Sequence, residues 1–170
     1  MKKQGIGTWI TLCALILTIV GFVLYGAVVK AGDKLAIASG SEFFYDMTRP
    51  EDVAMGPAVV TGSILAIVFL AAGLVLSQLT LDGIAGKVVK TVAGILRIAA
   101  PAMLVIAVFY FLYGSFSGLG WTFFSNEELT IYPEATAVGT QVITAVVIYI
   151  VAMIASAVAA YFDIPKKDAE

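Results

Sequence analysis

The sequence contains no histidine and a single cysteine, Cys13, among its 170 residues. Without histidine, the chain can form neither a Ser-His-Asp triad nor a Cys-His pair, and it lacks a common zinc ligand. Without a second cysteine, it can form no disulfide within the chain. The sequence also has no nucleotide-binding motif. We therefore expect a protein that is not an enzyme and that carries no cofactor and no metal.

Charged side chains are also scarce. They make up 13% of the residues, whereas hydrophobic residues make up 61%. Soluble domains have about 25% and roughly 45–50% of these two classes. The mean hydropathy of +1.00 exceeds what a soluble core of this size needs, and it excludes a disordered chain. The composition therefore predicts a helical integral membrane protein.

Four apolar stretches are long enough to cross a bilayer. A hydrocarbon core of about 30 Å needs roughly 20 helical residues, and lipid offers no partners to an open backbone. We predict an all-α bundle of four transmembrane helices that forms one domain over residues 1–170. The predicted spans are residues 6–28, 58–79, 94–113 and 138–162. Residues 30–57 and 114–137 form two long loops on one side, and a short link, 80–93, lies on the other.

The basic residues are divided unevenly between the two sides. The side with both termini and the short link has seven: Lys2, Lys3, Lys87, Lys90, Arg97, Lys166 and Lys167. The side with the long loops has three: Lys30, Lys34 and Arg49. Because basic residues concentrate on the cytoplasmic side, both termini are predicted to be cytoplasmic. We expect a multi-pass protein of a plasma membrane, and the short basic start suggests a bacterial one.

Two spans carry stripes of small residues at helical spacing. The second span has Gly62, Ala66, Gly73 and Ser77, and the fourth has Ala152, Ser156 and Ala160. Small side chains let membrane helices approach closely, so we expect both stripes at helix contacts. The sequence leaves open whether they meet within the chain or contact another protein.

The third span is preceded by a basic helical face. Lys87, Lys90, Gly94 and Arg97 are spaced by three, four and three residues, and valine, isoleucine and leucine fill the opposite side. This pattern predicts an amphipathic extension of the helix. Lys87, Lys90 and Arg97 are predicted to contact anionic lipid headgroups. A docking surface for a cytoplasmic partner is the alternative interpretation.

The two outer loops combine aromatic with acidic residues. Phe43, Phe44 and Tyr45 lie in the first loop, and Trp121, Phe123 and Phe124 lie in the second. Such residues can form an interfacial belt, but they also dominate protein–protein contacts, so we predict a partner-binding role. Thr48 and Ser125 have the sequence pattern of helix N-caps, which predicts short interfacial helices in both loops.

The spans contain no ionisable residue near their centres, where proton-coupled transporters keep one. We therefore predict a small non-catalytic subunit or scaffold of a larger membrane complex, acting through its helix faces and outer loops. Its expected partners are membrane lipids and either another membrane protein or a second copy, but not nucleic acid. The alternative is a small oligomeric channel or transporter for a neutral or apolar solute. Its polar lining would come from Thr8, Thr11 and Thr18, or from Thr140 and Thr144.

Overall fold

The computed structural model describes residues 5–32, 55–79, 81–125 and 133–162, and within these ranges the chain forms helices and no strand. The α-helices are α1 (Ile6–Gly32), α2 (Met55–Gln78), α3 (Gly83–Gly120) and α4 (Pro133–Ala159), and a π-helical turn (Trp121–Ser125) directly follows α3. All four α-helices contain a segment that is long and apolar enough to cross a membrane. For the described residues, the predicted all-α fold with four helices long and apolar enough to span a membrane is thereby confirmed.

Two of the helices, α1 and α4, bury residues at alternating intervals of three and four positions. In α1 these are Gly7, Thr11, Ala14, Thr18, Gly21, Tyr25 and Val28, and in α4 they include Val142, Ala145, Tyr149, Ala152, Ser156 and Ala159. An average spacing of about 3.5 residues keeps one helix face directed at its neighbour in a left-handed supercoil. Most of these side chains are small, so the helix backbones can approach closely.

Glycines set the distances between neighbouring helices. A Cβ atom added at Gly62 of α2 would lie 2.9 Å from the carbonyl oxygen of Met103 in α3. One added at Gly21 of α1 would lie 3.2 Å from the ring of Tyr149 in α4. α2 packs mainly on α3 and α1 mainly on α4, while α3 also contacts α4 and α1 also contacts α2. The bundle thus consists of two closely packed helix pairs that lie side by side.

α3 is much longer than the span predicted within it. It has 38 residues, which corresponds to about 57 Å, nearly twice the thickness of a bilayer's hydrocarbon core. It begins 11 residues before the predicted span 94–113 and ends seven residues after it. Residues 114–120, predicted as the start of the second outer loop, are therefore helical. The small residues Gly114, Ser115 and Gly118 lie on the buried face of this extension.

Two glycines permit a tight return of the chain from α2 to α3, which begins five residues after α2 ends. Gly83 opens α3 with a φ of +67°, a left-handed conformation that glycine adopts without steric cost. A Cβ atom at Gly86 would overlap the carbonyl oxygen of Leu81. The link predicted at 80–93 is consequently short, and most of it belongs to α3.

The short helices predicted in the outer loops stay predictions. Thr48 lies outside the described residues. Ser125, predicted to start the second short helix, is the last residue of the π-helical turn. Residues 126–132, which would form the rest of that helix, also lie outside the described part of the chain.

Candidate functional site

The centre of the bundle contains three packed aromatic rings and one pair of hydrogen-bonded hydroxyl groups. The ring of Phe111 lies between those of Tyr25 and Tyr149, with centroid distances of 5.0 and 6.1 Å and near-perpendicular ring planes. The Oγ of Ser63 lies 2.7 Å from the hydroxyl oxygen of Tyr149 and 2.7 Å from the carbonyl oxygen of Val59. Because a serine hydroxyl has one proton, Ser63 donates to Val59 and accepts from Tyr149.

Within the proposed channel lining, hydrogen bonds to the same helix are made by Thr11, Thr18, Thr140 and Thr144. Thr11 and Thr18 are fully buried and donate to the carbonyl oxygens of Gly7 and Ala14, at 2.6 and 2.7 Å. Thr140 and Thr144 are exposed on α4, and each donates at 2.9 Å to the carbonyl oxygen four residues before it. Hydroxyl groups used in this way offer no donor to a passing solute.

The small-residue stripes lie largely at the helix contacts within the chain. Gly62 and Gly73 of α2 face α3, since a Cβ at Gly73 would lie 3.0 Å from the Cγ of Arg97. Ala66 is fully buried, and Ser77 donates to the carbonyl oxygen of Gly73 at 2.6 Å. On α4, Ala152 and Ser156 are buried and Ala160 is partly buried. A role of either stripe in binding another protein stays a prediction.

Arg97 reaches the end of the neighbouring helix. Its Nη2 donates to the carbonyl oxygens of Ala159 and Phe162, at the C-terminus of α4. Its side chain passes beside Gly73, where a larger residue would obstruct it. The last carbonyl groups of a helix have no partner within the helix and carry partial negative charge, so they attract a guanidinium. Headgroup contact by Lys87, Lys90 and Arg97 stays a prediction.

An exposed row of aromatic side chains follows the C-terminal half of α3. Phe109, Tyr113 and Phe116 are spaced by four and three residues and share one helix face, and Phe124 follows in the π-helical turn. The rings of Phe109 and Tyr113 are stacked, with centroids 6.0 Å apart. Phe116 and Phe124 are 77% and 89% exposed. We call these four residues the aromatic ridge. The sequence predictions did not include Phe109, Tyr113 or Phe116, although their spacing of four and three residues indicates a shared helix face.

The other predicted aromatic residues have different positions. Phe123 is partly buried and packs on α4, since a Cβ atom at Gly139 would lie 3.0 Å from its ring. Trp121 is the first residue of the π-helical turn. Phe43, Phe44 and Tyr45 lie outside the described residues. Of the predicted partner-binding set, the structure therefore places Phe124 on the surface and Phe123 against the bundle.

The described residues define a multi-pass helical membrane bundle without a metal centre among them. Residues 5–32, 55–79, 81–125 and 133–162 contain no group of three or more His, Cys, Asp or Glu side chains that could hold a metal ion. Comparison of the chain with protein-family models, curated proteins and solved structures finds no match.

Proposed function

We propose that the protein is a small, non-catalytic subunit or scaffold of a larger membrane complex, which it contacts through the outer end of α3. Small and aromatic side chains pack in the interior of the bundle, and most of the buried hydroxyl groups there donate to backbone carbonyl oxygens of their own helices. Among the described residues, helix faces form most of the exposed surface, and the aromatic ridge is their most distinctive part. The protein is expected to reside in a bacterial plasma membrane with both termini in the cytoplasm.

The aromatic ridge is the observation that supports this proposal. Phe109 is 59% exposed, whereas Phe111, two residues further along the same helix, is 1% exposed. The bundle therefore buries large rings on one face of α3 and leaves equally large rings on the other. Rigid aromatic side chains lose little conformational entropy on binding and supply much of the energy of protein interfaces. An adjoining membrane protein would bury these rings.

The channel alternative receives less support from the described residues. Thr11 and Thr18 lie inside the bundle with their hydroxyl groups bonded to their own helix. Thr140 and Thr144 are exposed, but the face of α4 below them continues with Val147, Val151, Ile154 and Val158, all exposed. An oligomer that enclosed this face would have a polar lining over only part of its length. We therefore favour the scaffold.

Purification from native membranes in a mild detergent, followed by native mass spectrometry, tests the proposal. We expect a second, unrelated protein in fixed stoichiometry with the wild-type chain. The double variant Phe116→Ala and Phe124→Ala should lose that protein while retaining the wild-type melting temperature, because both rings are exposed. Trp9→Ala is the matched control, since Trp9 is an exposed aromatic residue near the start of α1.

The outcomes separate the scaffold from its alternatives. Loss of the second protein from the ridge variant but not from Trp9→Ala supports the proposal. Equal retention of the second protein by both variants would show that the aromatic ridge is not part of the interface. Recovery of copies of this chain alone would overturn the scaffold, and flux measurements in liposomes would then test the channel.

A further inference from the structure

The first part of α3 extends past the helices that it packs against. Arg97 contacts the C-terminal carbonyl groups of α4, and 14 residues of α3, 83–96, precede it. α2 lies beside Arg97 at Gly73 and ends five residues later, at Gln78. Because α2 and α3 are antiparallel, α2 covers about five of these 14 residues. The remaining two turns or more, from Gly83 to about residue 91, project beyond both neighbours.

The projecting segment has one apolar and one basic face. Ile84 and Val88 are 82% and 55% exposed, and they continue into the exposed Val92 and Ile95 on the same side of the helix. Lys87 and Lys90 are exposed on an adjoining face. Exposed isoleucine and valine at the end of a membrane helix need an apolar environment, while the lysines need water or anions. The boundary between acyl chains and headgroups supplies both.

Arg97 differs from the two lysines in what it contacts. Its Nη2 already donates to two carbonyl oxygens of α4, so its charge serves to hold the end of that helix. Lys90 lies seven residues before it and Lys87 ten residues before it, both in the projecting part. The available positive charge of this segment is therefore concentrated on the lysines.

We propose that the projecting segment of α3 is a binding site for anionic phospholipid. Lys87 and Lys90 contact the phosphate of the headgroup, and Ile84, Val88 and Ile95 contact the acyl chains. The complementarity of charge selects an anionic lipid over a zwitterionic one. This inference does not depend on the scaffold, because the segment lies at the opposite end of α3 from the aromatic ridge.

The proposal can be tested by reconstituting the full chain into vesicles of phosphatidylcholine and phosphatidylglycerol. After gentle extraction, native mass spectrometry measures the ratio of the two lipids retained on the protein. We expect phosphatidylglycerol to be enriched on the wild-type chain and the enrichment to fall about fivefold for each lysine replaced by glutamine. Raising the salt concentration should lower it in the wild type as well.

Two single variants provide the controls. Lys30→Gln removes one exposed charge from the end of α1, at the other side of the bundle, and should leave the enrichment unchanged. Arg97→Gln should also leave it unchanged, although it weakens the packing of α4. Unchanged phosphatidylglycerol enrichment in the double variant Lys87→Gln and Lys90→Gln would overturn the proposal. A loss of enrichment in Lys30→Gln equal to that in either single lysine variant of α3 would also overturn it. Wild-type enrichment in the double lysine variant would leave a docking surface for a cytoplasmic partner as the interpretation of this basic face.

Discussion

The hydroxyl of Tyr149 donates a hydrogen bond to the Oγ of Ser63, which lies 2.7 Å away on a different helix. Both residues are completely buried. The bond joins α4 to α2, which belong to different helix pairs of the bundle. It is therefore a specific polar contact that fixes how the two pairs are placed relative to each other.

Removing the two partners of this bond should have unequal effects. In Tyr149→Phe, Ser63 keeps its hydrogen bond to Val59, so we expect a loss of about 0.5–1.5 kcal/mol in the free energy of unfolding. In Ser63→Ala, the buried tyrosine hydroxyl loses its acceptor, and the expected loss rises to about 1–3 kcal/mol. Reversible unfolding in mixed micelles measures both values. A larger loss in Tyr149→Phe would contradict the assigned direction of the bond.

Gly62→Ala should destabilise the bundle because the added methyl group meets backbone rather than a movable side chain. It would lie 2.9 Å from the Met103 carbonyl oxygen, so α2 and α3 must separate. We expect a loss of about 1–3 kcal/mol in the free energy of unfolding. Gly26→Ala is the matched control, since a Cβ there has no neighbour within 4 Å. It should stabilise α1 by about 0.5–1 kcal/mol. Equal effects of the two substitutions would argue against close packing at Gly62.

Arg97→Gln should loosen the end of α4. The amide groups of Ala160, Tyr161 and Phe162 donate to carbonyl oxygens three residues back, and Arg97 holds two carbonyl groups of the same turn. We expect faster amide hydrogen exchange in a peptide covering this turn, with unchanged exchange in the middle of α4. Lys90→Gln should leave the rate in this turn at the wild-type value. Wild-type exchange in Arg97→Gln would show that this turn is stable without the guanidinium.

The predicted orientation can be measured by chemical labelling. In a Cys13→Ala background, Lys30→Cys and Lys87→Cys each place one thiol at an exposed site, with α2 crossing the membrane between them. A membrane-impermeant maleimide should label Lys30→Cys from outside intact cells and Lys87→Cys only after the cells are opened. Labelling of Lys87→Cys alone in intact cells would indicate the orientation opposite to the one predicted from the basic residues. Labelling of both would mean that α2 does not cross.

The existence of the four helices could be predicted, and so could the helical extension that carries Lys87 and Lys90 before the third span. The extension of α3 past residue 113 could not be predicted. Glycine and serine between residues 114 and 120 are poor helix formers, so that stretch resembled a loop. In the structure they face the interior, and tertiary packing overrides their intrinsic preference.

The candidate sites were predictable where they depend on spacing within one helix. The stripe from Gly62 to Gly73 and the basic face of α3 are examples. The contact of Arg97 with Ala159 joins residues 62 positions apart, and no local pattern identifies it. Phe123 packs on α4 whereas Phe124 is exposed, and no local pattern in the sequence distinguishes these two neighbouring residues.

Pro101 lies almost at the midpoint of α3, 18 residues after Gly83 and 19 before Gly120. Proline cannot donate the backbone hydrogen bond expected at its position, so a helix bends there more easily than elsewhere. A change of about 10° at this point would displace the end of an arm of about 28 Å by roughly 5 Å. The projecting basic segment and the aromatic ridge occupy the two arms. A bend at Pro101 would therefore change the angle between the arm that carries Lys87 and Lys90 and the arm that carries the exposed aromatic rings.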